Sequence, residues 1–242
     1  MDWSVPKFPL DRYSDNALSW LTAHFSDVTR STSRIVRGWI ETATELLTAL
    51  PPPVVIVAIV LLAWWLAERR VAILAGVGFL FLWNLRLWGP TMETLVLVIL
   101  ATLAALAIGI PIGILCALSK RAWKTVGPVL DMMQTMPSFV YLIPAIPFFG
   151  LGSVSAVFAT IVFSMPPVIR LTALGILSVP KELVEASDAF GTTTTQKLFK
   201  VQLPLALPTI MAGINQTIML SLSMVVIASM IGAGGLGREV WR

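Results

Sequence analysis

The sequence predicts an all-α fold, a bundle of helices that crosses a membrane several times. Three observations carry that reading. Of the 242 residues, 57% are hydrophobic and only 12% are charged, with a mean hydropathy of +0.85; an ordinary soluble domain carries about twice that share of charge. The apolar residues gather in stretches long enough for a hydrocarbon core about 30 Å thick. The basic residues fall between those stretches, as at Glu68-Arg69-Arg70 and at Ser119-Lys120-Arg121 followed by Lys124, where they report orientation.

Taken in order, residues 1–50 read as a retained extracytoplasmic tail. Charges at Asp2, Lys7, Asp11, Arg12 and Asp15 break the basic, apolar, small-residue order of a signal peptide. Within the tail, Arg30, Arg34 and Arg37 stand at helical spacing among Ile35, Val36, Trp39 and Ile40. That pattern is an amphipathic helix, lying on the membrane surface or simply solvated. After Pro51-Pro52-Pro53, residues 51–89 hold two peripheral transmembrane helices, 54–67 and 71–88, the first short for a crossing.

The core occupies 90–242. Residues 91–118 are the clearest span, and the cations after them are expected in the cytoplasm. Alternation then sends 132–149 outward, 153–179 inward and 205–231 outward, about six spans in all, with 180–204 cytoplasmic. Run backward, it puts the tail outside, which its five Lys/Arg against six Asp/Glu do not oppose.

Several chemistries are excluded. Cys116 is the only cysteine, so no intramolecular disulfide or thiolate cluster forms. His24 is the only histidine, and no carboxylate pair or serine elbow accompanies it, so no catalytic or metal site emerges. The net charge of +4 forms no nucleic-acid-binding stripe. No G-x-x-x-x-G-K-[ST] phosphate loop occurs, so no cofactor is expected in this chain. Residues 232–237 match the dinucleotide pattern G-x-G-x-x-G literally, but they follow an apolar helix where the motif needs a strand and a βαβ unit. They read as a turn at the outer membrane face.

The polar segment 180–204 begins with a short amphipathic helix, Pro180 near its start and Gly191 after its end. Leu183, Val184, Ala186 and Phe190 form one ridge and Glu182, Glu185 and Asp188 another side, a shape that suits either an ordinary surface helix or one docked in a partner's groove. Glu185-Ala186, Gly191 and Leu203-Pro204 resemble the EAA motif of ABC importer permeases. The resemblance implies that this segment is the coupling helix seated in a separate ATP-binding subunit, which would hold ATP and Mg2+.

Three further stretches, 134–144 (QTMPSFVYLIP), 165–176 (MPPVIRLTALGI) and a third from 206–217 (ALPTIMAGINQT) through 223–237 (SMVVIASMIGAGGLG), resemble permeases of the glycine betaine, proline betaine and choline uptake family. That likeness covers about residues 90–240. It implies a type I importer permease (MetI-like) fold, a homodimer, two ATPase subunits beneath and an extracytoplasmic substrate-binding protein above, working by alternating access. Family members continue past the glycine-rich turn into another apolar helix, so a final span is expected to be missing here.

Asn215, Gln216, Thr217, Ser221 and Ser223, with Ser229 beyond them, are polar groups inside one apolar stretch. Such groups face protein or water rather than lipid, lining a pore or bonding between helices. Pro137, Pro144, Pro166, Pro167 and Pro208, together with Pro147, interrupt apolar stretches and serve as hinges or as static kinks. Glu93 near an outer helix end, and Phe139, Tyr141 and Phe148, attract a cation or merely anchor at the interface. Three rivals remain at this point: the same machine for an amino acid or taurine-like solute, an ion-coupled secondary transporter, and a membrane scaffold.

Overall fold

The computed structural model describes Trp20, His24 and residues 26–240. The tail charges from Asp2 to Asp15, and Trp241 and Arg242, lie outside the described residues. Among the described residues the order is α1 (Ser26–Ala49), α2 (Pro52–Leu66), α3 (Arg69–Asn84), α4 (Trp88–Leu118), α5 (Lys120–Thr135), a 3-10 turn (Ser138–Tyr141), α6 (Leu142–Phe149) and α7 (Ser153–Leu177). It continues with α8 (Lys181–Ala189), α9 (Thr194–Lys197), a π-helical stretch (Leu198–Gln202), α10 (Leu203–Ala228), a second 3-10 turn (Ser229–Ile231) and α11 (Leu236–Val240).

At 1.5 Å per residue, α4, α7 and α10 reach about 46, 37 and 39 Å, enough to cross about 30 Å of hydrocarbon. They are the helices long and apolar enough to do so singly. About six crossings are expected from the sequence; among the described residues, length and hydropathy single out three helices that cross alone. Met132 to Phe149 is no single helix: α5 ends at Thr135, Pro137 is extended, and the α5 and α6 arms meet at 115°. α2 and α3 are two short helices packed on each other, and α2 turns 99° from α1. Counting each bent pair as one span raises the total to five.

Proline acts differently from place to place, for a physical reason. Pro137 separates two helices. Pro144 sits in the first turn of α6, where its missing N–H has no intrahelical partner to lose. Pro166, Pro167 and Pro208 lie inside α7 and α10, which run on through them. The ring's clash is absorbed there because the helix is held by neighbours on several sides, and Pro166 and Pro167 are themselves buried.

α7 is the central post. Ala156, Thr160, Ser164, Val168, Thr172 and Ala173 along it have no exposed surface. Small residues set its register. A Cβ at Gly109 would meet Val168 and Met165, and one at Gly113 would meet Thr172 and Ile169, so α4 and α7 run parallel. A Cβ at Gly213 would meet Leu171 and Val168, while one at Gly175 would meet Thr209 and Ala206, so α10 runs antiparallel to both. At Gly113 the approach reaches backbone: a methyl would lie 2.6 Å from Thr172 Cβ and 2.7 Å from the Ile169 carbonyl oxygen. Without a hydrophobic drive between helices in lipid, such close backbone contact is what holds them.

α1 is amphipathic as its arginine spacing indicates, but one apolar stripe packs on protein. Val36, Ile40, Ala43 and Leu47 join Val96, Leu97, Val154 and Val157 of α4 and α7, and Phe149 stacks on Phe158 at 3.9 Å beside them. Val28, Ile35, Trp39 and Leu46 remain exposed. His24 stacks on Trp20 at 4.5 Å.

Candidate coupling segment and translocation face

The antiparallel run of α7 and α10 brings Leu177 and Leu203 to the same end of the bundle as Leu118, and the 180–204 segment connects them there. Pro180 opens α8: its φ of −53° and ψ of 132° end the preceding chain as extended backbone, and its carbonyl accepts from Leu183 N–H at 3.2 Å and Val184 N–H at 3.4 Å. Phe190 N–H closes the helix on the Ala186 carbonyl at 3.2 Å. Gly191 then adopts φ +73°, a left-handed turn that a side chain would strain.

The return strand of the segment is fastened at four points. Thr192 Oγ1 donates to the Ser187 carbonyl at 2.8 Å. Thr193 caps α9, accepting from Gln196 N–H at 3.3 Å while its own N–H donates to Gln196 Oε1 at 3.0 Å, a reciprocal capping box. Lys197 Nζ donates to both Asp188 carboxylate oxygens at 2.7 and 2.9 Å. Leu198 is buried against Ile176, Ala206 and Ile210, pinning the π-helical stretch to α7 and α10. Such one-turn π segments recur at functional joints.

Glu185 and Ala186 are exposed on α8, as are Leu183, 44% exposed, and Phe190, 88% exposed. Leu203 is half-buried and Pro204 exposed in the first turn of α10. The predicted motif residues therefore fall on one continuous helical return, rigidly joined to two long helices. The Lys197–Asp188 clamp was not singled out in the sequence. The signal was there in retrospect: Asp188 ends one short helix, Lys197 the next, with a glycine turn between.

On α10 the polar residues separate into two groups. Asn215, Gln216 and Ser223 lie on an open face that also carries Met219, 71% exposed. Thr217 and Ser221 do share a face, and it is the buried one, turned into the bundle beside α7, with no exposed surface on either residue. Their hydroxyls, with Ser164 Oγ and Thr172 Oγ1, have no hydrogen-bond partner among the described residues. Arg170, in the same half of α7, pairs with Asp131 of α5, a link between the central post and the bent pair that the sequence did not disclose. Tyr141 packs edge-on against Phe163 at 5.5 Å, within the bundle.

Residues 109–242, more than half the chain, match the model of the binding-protein-dependent transport system inner membrane component. The chain belongs to this permease family. Known relatives extend the match almost to the amino terminus. The permease is 45% identical over 237 residues to the glycine betaine transport system permease protein OpuAB of Bacillus subtilis, covering 98% of this chain and 84% of that one. It is 47% identical over 234 residues to the glycine betaine/proline betaine transport system permease protein ProW of Escherichia coli, covering 97% of this chain and 66% of the longer relative. Among solved structures, an inward-facing conformation of the MetNI methionine ABC transporter aligns with TM-score 0.57 at 26% identity, over 61% of this chain and 75% of that one. The fold of the permease is thus that of an ABC importer's membrane subunit, and the chain is a multi-pass membrane protein of a transport system.

Proposed function

We propose that the permease imports quaternary-ammonium osmoprotectants of the glycine betaine, proline betaine and choline type, driven by ATP hydrolysis in separate subunits. In this reading two copies of the chain pair in the membrane, two ATP-binding cassette subunits holding ATP and Mg2+ sit beneath them, and an extracytoplasmic binding protein delivers the solute. The observation that carries the mechanism is the 180–204 return: an exposed helix with apolar Leu183 and Phe190 at its surface, fastened to α7 and α10 without slack. A displacement of α8 is then transmitted to two crossing helices as a rigid-body movement. The cargo rests on the names of the relatives.

The ends follow from charge. Lys120, Arg121 and Lys124 stand at the coupling end, so that end is cytoplasmic and α1 lies outside. Asn215, Gln216 and Ser223 line the aqueous path on the open face of α10, since polar groups there are costly against lipid. Thr217 and Ser221 act one layer back, in the seam between α7 and α10.

Purified permease reconstituted with its ATPase and binding protein should accumulate labelled glycine betaine when ATP is present inside vesicles on the ATPase side. Accumulation on an ion gradient with no ATP overturns the ATP-driven reading. Accumulation of an amino acid or taurine in preference to glycine betaine retains the machine and overturns the cargo.

A further inference from the structure

The glycine-rich turn 232–237 follows α10 at the end of the bundle opposite the coupling segment, and it folds back on the start of α4. Leu236 N–H donates to Thr94 Oγ1 at 2.8 Å, and that hydroxyl donates in turn to the Pro90 carbonyl at 2.9 Å. Gly235, at φ +94°, lies so close to Thr94 that a Cβ would collide with its hydroxyl. A Cβ on Gly234 would fall onto the Glu93 carboxylate. On the other side, a methyl at Gly237 would lie 2.6 Å from Ser229 Oγ, and one at Gly152, before α7, would lie 3.8 Å from the Gly232 carbonyl oxygen. The turn therefore gathers the outer ends of α4, α7 and α10, its glycine backbone lying against Glu93, Thr94 and Ser229.

Glu93 and Gly232 also border a cavity of about 530 Å³ that runs beneath α1 past Arg37, Glu41, Thr44 and Glu45. Ala233, at the centre of the turn, has no exposed surface. Across the start of α4 the seat is turn backbone against Glu93 and Thr94, and its central methyl, Ala233, joins the apolar cluster of Tyr141, Leu142, Ala156 and Met224, so parting the turn uncovers only a small apolar surface. It is nonetheless specific at Gly235, whose φ of +94° and closeness to Thr94 leave no room for a side chain.

We propose that the 232–237 turn, seated on Glu93 and Thr94, is the extracytoplasmic gate of the permease. The proposal rests on the orientation and ATP-driven mechanism given above. When the coupling helices move, the outer ends of α4 and α10 part, the Leu236–Thr94 bond breaks and the turn leaves the carboxylate. In the closed state the turn seals the mouth below the cavity.

The test uses the whole reconstituted complex carrying Ala233→Cys in a Cys116→Ala background, treated with a membrane-impermeant maleimide from either side. Labelling from the extracytoplasmic side should be roughly a hundredfold faster with ATP trapped in the complex than without nucleotide, as for a shift from about 1:99 to nearly full opening. Equal rates in the two states, with ATP-driven uptake intact, overturn the gate and leave the proposed function standing. Labelling from the ATPase side alone overturns the orientation beneath both. Independently, Gly235→Ala, strained at φ +94° and crowded by Thr94, should hold the turn off its seat, so that ATP is consumed with little uptake. Full coupling in Gly235→Ala overturns the seat.

Discussion

Lys197 and Asp188 lie at the surface, where an ion pair contributes well under about 1 kcal/mol to stability. The Asp188 side chain is 52% exposed and that of Lys197 20%, so the pair's value lies in geometry: it closes the return of the coupling segment. Lys197→Met is expected to leave the melting temperature in detergent nearly unchanged while lowering uptake per ATP hydrolysed, and the exchange Asp188→Lys with Lys197→Asp should recover much of it. Gly113 is the opposite case, silent at the surface and decisive inside. Gly113→Val would drive two methyls into Thr172 and the Ile169 carbonyl, and overpacking of this kind costs about 1–3 kcal/mol. A lower melting temperature, with loss of assembly at growth temperature, is the expected result.

At the scale of elements, α8 and the glycine turn are the two short pieces that matter most, one at each end of the same pair of long helices. Phe190, 88% exposed at the end of α8, has the character of a buried interface anchor left without its pocket. Phe190→Ala should weaken binding of the ATPase to detergent-solubilised permease by about 2 kcal/mol, roughly thirtyfold in Kd, without altering the fold measured by circular dichroism. An unchanged Kd would mean that α8 is not seated in the ATPase. The bent pair α5–α6 is tied to the bundle differently, through Arg170 and Asp131 and through Tyr141 against Phe163. An arginine inside a long apolar helix is expensive unless paired, which explains why it meets a carboxylate.

For the whole molecule, the polar face of α10 sets the prediction. Asn215→Leu with Gln216→Leu should depress glycine betaine uptake at least about tenfold, a loss of about 1.4 kcal/mol in the transport step, while co-purification with the ATPase is retained. The matched change in the buried seam, Thr217→Val, removes a hydroxyl that has no partner and is expected to be nearly neutral for assembly. Equal transport defects in both would place the two faces on the same path.

The sequence by itself determined the class of this protein, helical and membrane-crossing, because hydropathy and the placement of Lys120, Arg121 and Lys124 are local properties. It also determined the local shape of the 180–204 return, a short helix opened at Pro180 and ended at Gly191, since caps and turns depend on near neighbours. Tertiary structure alone decided the rest. Only packing shows that Pro137 bends its helix pair while Pro166 and Pro167 do not break theirs, because a proline's effect depends on what surrounds the freed carbonyl. Only packing divides Asn215, Gln216 and Ser223 from Thr217 and Ser221, since a helix with apolar residues all round carries no periodic signal of its inner face. The ion pairs Arg170–Asp131 and Lys197–Asp188, and the seat of Gly234 on Glu93, join residues nine to more than a hundred positions apart. Pairings at such separations are fixed by the register of whole helices, which no local pattern encodes.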